Sequence, residues 1–194
     1  MTIVEYELGE FRLRVLPEAY TVHSSFLAKK GFISIGGIST GKQEVVMVDG
    51  QGKVLDRRAK VVLTNREIDI GYELGSKEDF RSFRLGRYFI LPIICYEILS
   101  PEIWKRVKGK INLVTHHIGY PLYDRAQANR WRSLQRELSE HFDCPVVCSV
   151  GNAKNKDGID ISGVVFKDFD IPEYGAFIKL KSKPSTNLED DTNE

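Results

Sequence analysis

The chain has 194 residues, 42% of them hydrophobic and 28% charged, a globular composition that excludes general disorder. Its 28 basic and 27 acidic side chains leave a net charge of +1, which removes the electrostatic reason to expect a nucleic-acid partner, and no apolar run approaches the ~18–20 residues of a membrane span. Three cysteines, an odd number, suit free thiols in a reducing, cytoplasmic setting, and MTIVEYELGEFRLR lacks the apolar core of an export signal.

In chain order, Arg12 to Leu16 reads as a strand and Ser24 to Lys30 as a short helix. Phe32 to Ile38 and Glu44 to Val48 read as a strand pair joined by Ser-Thr-Gly-Lys turn chemistry. A second turn at 49–52 leads into KVLDRRAKVVL, and 80–85 alternates weakly. Tyr88 to Cys95 is a continuous apolar run, as expected of a strand covered on both faces. Ser100-Pro101 then opens a helix running through Val107. Ile111 to Thr115 is a buried strand, and Asp124 caps a longer helix with Trp131, Leu134, Leu138 and Phe142 on one face. Strands follow at 145–150, 161–166 and 176–180. Strand, helix, strand, helix, strand across 88–150 predicts parallel neighbours, and the flanking hairpins make the α/β sheet mixed. Residues 1–182 read as one domain, and the acidic 183–194 as a disordered tail.

Cys95 ends a buried strand just before a helix cap, the edge where α/β folds place their sites and where backbone N–H groups can face an oxyanion. A thiol there needs a base to become a good nucleophile. Two more charged residues stand at strand positions: Glu18 after Leu16-Pro17, and Lys60 inside an apolar stretch.

The ordered fragments LPEAY (16–20), DGQGKVLDRRAKVVL (49–63), GRYFILPIICYE (86–97) and SPEIWKRV (100–107), with weaker matches at 129–137 and 161–166, resemble the nitrilase superfamily of carbon–nitrogen hydrolases. The resemblance implies an α-β-β-α sandwich acting on a small amide or nitrile. It makes Cys95 the nucleophile, Glu18 the general base and Lys60 the cation facing the tetrahedral intermediate. It makes the Tyr96 N–H a second oxyanion donor, and Glu67 a residue that orients the substrate or Lys60. It implies no cofactor, and a homodimer or higher homo-oligomer as the assembly; no metal is expected, because the histidines and cysteines lack ligand spacing. A silent binding or assembly module is the alternative reading, and it predicts a collapsed pocket around Cys95.

This chain departs from the family pattern. Only 17 residues precede Glu18, and 13 separate it from Phe32, so helices at the N-terminal end are missing or shortened, and the C-terminal end is short too. Their loss should bare apolar sheet surface. His116-His117 stands after the strand where a small or polar residue is common. His117 is a candidate for lining the pocket or protonating the leaving amine. Arg136 to Glu140 replaces a segment with a family role.

Three other signals carry less. Gly36 to Lys42 fits a phosphate loop only up to its lysine, since Gln43 stands in place of Ser or Thr and a strand follows, so it reads as a hairpin turn. Cys144 and Cys148 lack metal-ligand spacing and read as core thiols. The arginines of the long helix read as a solvated face.

Overall fold

Charged and apolar residues alternate along both Val-Glu-Tyr-Glu-Leu and Phe-Arg-Leu-Arg-Val, and the two segments pair as an antiparallel hairpin, β1 (Val4–Leu8) and β2 (Phe11–Val15). The computed structural model describes residues 2–18, 23–151, 158–167 and 169–172. Parallel to β2 runs β3 (Ile33–Ser39), followed antiparallel by β4 (Gln43–Val48) and β5 (Val54–Ala59), giving a five-stranded sheet in chain order. The second sheet is built from β6 (Phe83–Leu85), β7 (Tyr88–Ile94), β8 (Leu113–Ile118), β9 (Val146–Val150), β10 (Gly163–Phe166) and β11 (Phe169–Pro172), ordered β11-β10-β9-β8-β7-β6. The β7, β8 and β9 strands are parallel, as the alternating pattern over 88–150 predicts.

The two sheets face each other across one apolar layer. Leu13, Val15, Ile35 and Met47 from the first meet Phe83, Ile90, Leu113 and Val147 from the second. The other face of the second sheet is covered by α2 (Pro101–Trp104) and α3 (Arg125–Phe142), with Trp104, Trp131 and Leu138 buried against Leu91, Ile93 and Val114. Asp124 caps α3 by accepting from the Gln127 N–H at 2.7 Å. The one-turn α1 (Asn65–Asp69) is capped by Thr64, in a capping box with Glu67. The architecture is the α-β-β-α sandwich with one helical layer reduced.

The reduced layer corrects an expectation. Among the described residues, the outer face of the first sheet carries a 3₁₀ turn, Ser24–Leu27, where a longer helix is expected, over a small cluster of Leu16, Leu27, Ile38, Val46 and Val48. Beyond that cluster the hairpin part of the face is charged, while Phe26 of the turn and Val54 and Leu55 of β5 stay exposed. Glu5 opposes Arg14 and Glu7 opposes Arg12 across the hairpin, while Val4, Tyr6, Leu13 and Val15 turn inward. A period of two in the sequence hides the apolar side of the sheet, so no helix is needed there.

Other boundaries shift. The expected helix through Val107 ends at Trp104, and Ser100 makes no side-chain cap. The strand expected to stop at Thr115 continues to Ile118, so His116 and His117 are strand residues, both fully buried. Neutral imidazoles with partners at both nitrogens are tolerated in a covered central strand. The strand expected over 176–180 and the tail 183–194 lie outside the described residues. Among the described residues, no helix is long and apolar enough to cross a membrane.

Candidate functional site

Strand ends assemble the site. Glu18 follows β2, Lys60 follows β5, Cys95 follows β7, Gly119 follows β8 and Gly151 follows β9. The ends of the three parallel strands are carboxyl ends, the edge where α/β sheets carry their sites. Lys60 is fully buried, and its ammonium donates to Glu18 Oε1 at 2.6 Å and to Glu67 Oε1 and Oε2 at 2.7 and 2.9 Å. The Cys95 thiol lies against the Glu18 carboxylate and the Gly119 N–H. Four of the sequence-predicted residues, Glu18, Lys60, Glu67 and Cys95, thus come together although 77 positions separate the first from the last.

Electrostatics follow from this packing. Burial, and next the Glu18 charge, push the Cys95 thiol well above its ordinary value, with Lys60 offsetting part. Burial also raises Glu18 against the pull of Lys60. Glu67 pays a smaller penalty, and the Lys60 ammonium and the Thr64 cap hold it below the usual carboxylate range. Burial alone would lower Lys60, but Glu18, Cys95 and Glu67 together hold it above its ordinary value. The resting charges are therefore a shared ammonium between two carboxylates, beside a neutral thiol whose proton has an acceptor within reach.

Cys95 has a positive φ of 47°, a left-handed conformation that costs a non-glycine residue about 1–3 kcal/mol. It opens a 3₁₀ turn, Cys95–Leu99, so the N–H groups of Cys95 and Tyr96 have no acceptor within that turn. His116 holds the bend from below. Its Nε2–H donates to the Cys95 carbonyl at 3.2 Å, and its Nδ1 accepts from the Gln135 amide at 2.9 Å. Arg132 in turn donates to Gln135 Oε1 at 2.9 Å, and the His116 ring stacks on Trp131 with centroids 5.4 Å apart.

A buried ion pair joins the Lys60 side to the Cys95 side. The Arg58 guanidinium donates to Glu97 at 2.9 and 2.6 Å and also to the Pro92 carbonyl. Glu97 accepts in addition from the Val61 and Ile94 N–H groups, each at 2.8 Å. Sequence reasoning passed over both residues. The signal that could have found them is one arginine and one glutamate set in apolar stretches, where each charge needs a partner.

His117 is not brought to the cavity wall. Its Nδ1–H donates to the Leu16 carbonyl at 2.5 Å, and its Nε2 accepts from Thr115 Oγ1 at 2.8 Å. With both nitrogens engaged between the sheets, it fastens β8 to the segment that carries Glu18, which corrects the expectation of a pocket-lining acid. Two glycines bring the loops close. A Cβ on Gly119 would sit 3.1 Å from Glu18 Oε2, and one on Gly151 would sit 2.0 Å from the Gly119 carbonyl oxygen.

Above these groups opens a cavity of about 880 Å³. Glu18, Glu67 and Cys95 line it, with Tyr96 and Trp131 in an edge-to-face pair 5.6 Å apart. Ile70, Tyr120 and Tyr123 also line it and are exposed, the last by 83%. Among the described residues, no cluster of three or more histidine, cysteine or acidic side chains is arranged to hold a metal.

No family model matches the chain, and no curated protein matches it. Solved structures do. A carbon–nitrogen hydrolase superfamily protein from Xanthomonas campestris, with an arsenic adduct in its active site, matches with a TM-score of 0.61 at 15% identity, over 84% of this chain and 74% of that one. Nit3 of Saccharomyces cerevisiae, a nitrilase-superfamily member, matches with a TM-score of 0.62 at 19% identity, over 80% of this chain and 69% of that one. A mutant of the amidase from Nesterenkonia sp. AN1, with acrylamide added at its active-site cysteine, matches with a TM-score of 0.56 at 16% identity, over 71% of this chain and 56% of that one. The shared property is the fold, that of the nitrilase superfamily. The chain spans from 36% to 74% of the length of such neighbours.

Two outcomes follow. Glu18→Gln removes the carboxylate that opposes the thiolate while Lys60 stays, so the apparent pKa for alkylation of Cys95 by iodoacetamide should fall below that of the unaltered protein. A rise, or no change, would contradict the arrangement. His116 and His117 are held near pKa values of about 3 and about 4 by burial, which is opposed by their bonds to the Cys95 and Leu16 carbonyls. The native state therefore binds fewer protons than the unfolded chain, and these two groups withdraw stability as pH falls below about 6.5 toward 4. Urea denaturation of His117→Asn at pH 7 and pH 5 should show a smaller loss on acidification than the parent, by up to about 1.4 kcal/mol per pH unit.

Proposed function

We propose that this chain hydrolyses a carbon–nitrogen bond of a small amide or nitrile through a thioester or thioimidate on Cys95. The observation that carries the proposal is the buried Lys60 ammonium, held between Glu18 and Glu67, two carboxylates that line an open cavity together with the Cys95 thiol.

The Cys95 sulfur attacks the amide carbonyl carbon while its proton passes to Glu18. The carbonyl electron pair moves onto oxygen, where the Lys60 ammonium and the Tyr96 N–H stabilise it. The raised affinity of Glu18 for a proton suits this role. When the intermediate collapses, the carbon–nitrogen bond breaks and Glu18 returns the proton to the departing nitrogen, leaving a thioester and ammonia or an amine. Glu18 then takes a proton from water, the hydroxide oxygen bonds to the carbonyl carbon, and the carbon–sulfur bond breaks with the proton returning to sulfur. Glu67 does no proton transfer. It holds Lys60 in place and keeps it charged.

His117 has no part in this scheme, so Glu18 alone serves the leaving group. The alternative, a silent binding module, is disfavoured by the open cavity and the convergence of the charged groups. The reading keeps the protein in a reducing, cytoplasmic setting, where a free Cys95 stays a thiol, and keeps a homodimer as its assembly.

Screening short amides and nitriles for ammonia release tests the proposal. Cys95→Ala should abolish release, and Lys60→Met should lower turnover by about 10²–10³-fold. Release that persists in Cys95→Ala, or no thiol-dependent turnover of any amide or nitrile, would overturn it.

A further inference from the structure

One buried polar atom beside the reacting groups has no hydrogen-bond partner among the described residues. Gln43, the residue that breaks the phosphate-loop pattern, is 6% exposed and lines the cavity. Its backbone carbonyl accepts from the Lys60 N–H at 2.7 Å, which extends the ladder that pairs Glu44 with Ala59. On its other side it opposes Ser39. Directly opposed residues project from the same face of a sheet, with Cβ atoms about 4.5–5.5 Å apart. Ser39, Gln43 and Lys60 therefore form one row across three strands.

Both ends of that row are satisfied. Ser39 Oγ bonds the Tyr72 hydroxyl at 2.6 Å, and Lys60 holds its two carboxylates. The middle is not: Gln43 Oε1 is buried without a hydrogen-bond partner. Leaving a buried acceptor in that state is costly, because its water is lost with nothing in exchange. Arg14 Nε, Ser34 Oγ and Arg58 Nε are also unpaired, but those residues do not line the cavity. The terminal torsion of a glutamine is broad, so the amide can turn toward a ligand without leaving its rotamer.

We propose that Gln43 selects substrates by accepting a hydrogen bond from an O–H or N–H on the acyl side, next to the scissile carbonyl. This rests on the hydrolase reading of the same cavity. In that reading Lys60 faces the carbonyl oxygen and Glu18 faces the leaving nitrogen. The neighbour of Lys60 in the row then lies beside the remaining substituent of the carbonyl carbon. The substrate class is an amide with an α-hydroxyl or α-amino group. A site with a buried group waiting for a donor rejects the analogue that lacks one, because the group stays unpaired.

The test compares 2-hydroxypropionamide with propionamide. The unaltered protein should favour the hydroxy amide in kcat/KM by about tenfold or more. Gln43→Leu should bring the ratio near one, and Gln43→Met, unbranched and of similar length, repeats the test should the leucine variant fail to fold. Calorimetric Kd values for both amides on Cys95→Ala, with and without the Gln43 change, read the same preference without turnover. Turnover without preference, or a ratio that survives both Gln43 variants, overturns this inference alone. A Gln43-dependent Kd ratio together with no thiol-dependent turnover in the wider amide and nitrile screen overturns the hydrolase reading and leaves Gln43 as a recognition residue. Neither turnover nor binding of either amide overturns this inference, and the wider screen decides the hydrolase reading.

Discussion

An arginine and a glutamate, both shut away from water, hold the two halves of the site together. Arg58 lies two residues before Lys60 and Glu97 two after Cys95. Their ion pair is closed by two backbone N–H groups on the carboxylate and by carbonyl acceptors on the guanidinium. Isolated buried charges cost several kcal/mol each, and only close geometry with the remaining lone pairs satisfied repays that cost. The bond network supplies this closure on the carboxylate and on both terminal guanidinium nitrogens, and leaves Arg58 Nε without a partner. It ties the last residues of β5 to the turn after β7, so the distance between ammonium and sulfur depends on it. Removing either partner would leave the other charge buried and unpaired.

Around that brace the chain places groups whose charges make sense only as a set. A carboxylate beside a thiol disfavours the thiolate, and an ammonium beside both restores the balance. The second carboxylate, Glu67, keeps that ammonium charged and fixed, while the Thr64 cap fixes Glu67 itself. The left-handed bend at Cys95 is held through its carbonyl by a neutral imidazole, and His117 holds the segment leading to Glu18. These histidines lie within β8, not after it as the sequence suggests.

Much of this is readable in the letters alone. The parallel core over 88–150 follows from alternating apolar runs and a capped amphipathic helix. Glu18, Lys60, Glu67 and Cys95 are found because their order and flanking residues match a known pattern. What escapes depends on register and burial, which a single sequence does not encode directly. Gln43 reads as a hairpin residue because nothing local says that it opposes Lys60. Arg58 and Glu97 read as ordinary charges because their burial depends on two strand ends meeting. The histidine pair reads as loop because histidine is polar, although it also fits a covered strand when both nitrogens are engaged. The charged outer face of β1 and β2 is written in plain alternation, yet the expectation of missing helices points to bared apolar surface instead.

The most direct test of the account is the covalent state of Cys95 during turnover. Samples quenched in acid while propionamide is being hydrolysed, then digested and analysed by mass spectrometry, should carry a propionyl thioester on the Cys95 peptide that disappears once the substrate is exhausted. Ammonia release with Cys95 never acylated, or with the acyl group on another residue, would contradict it.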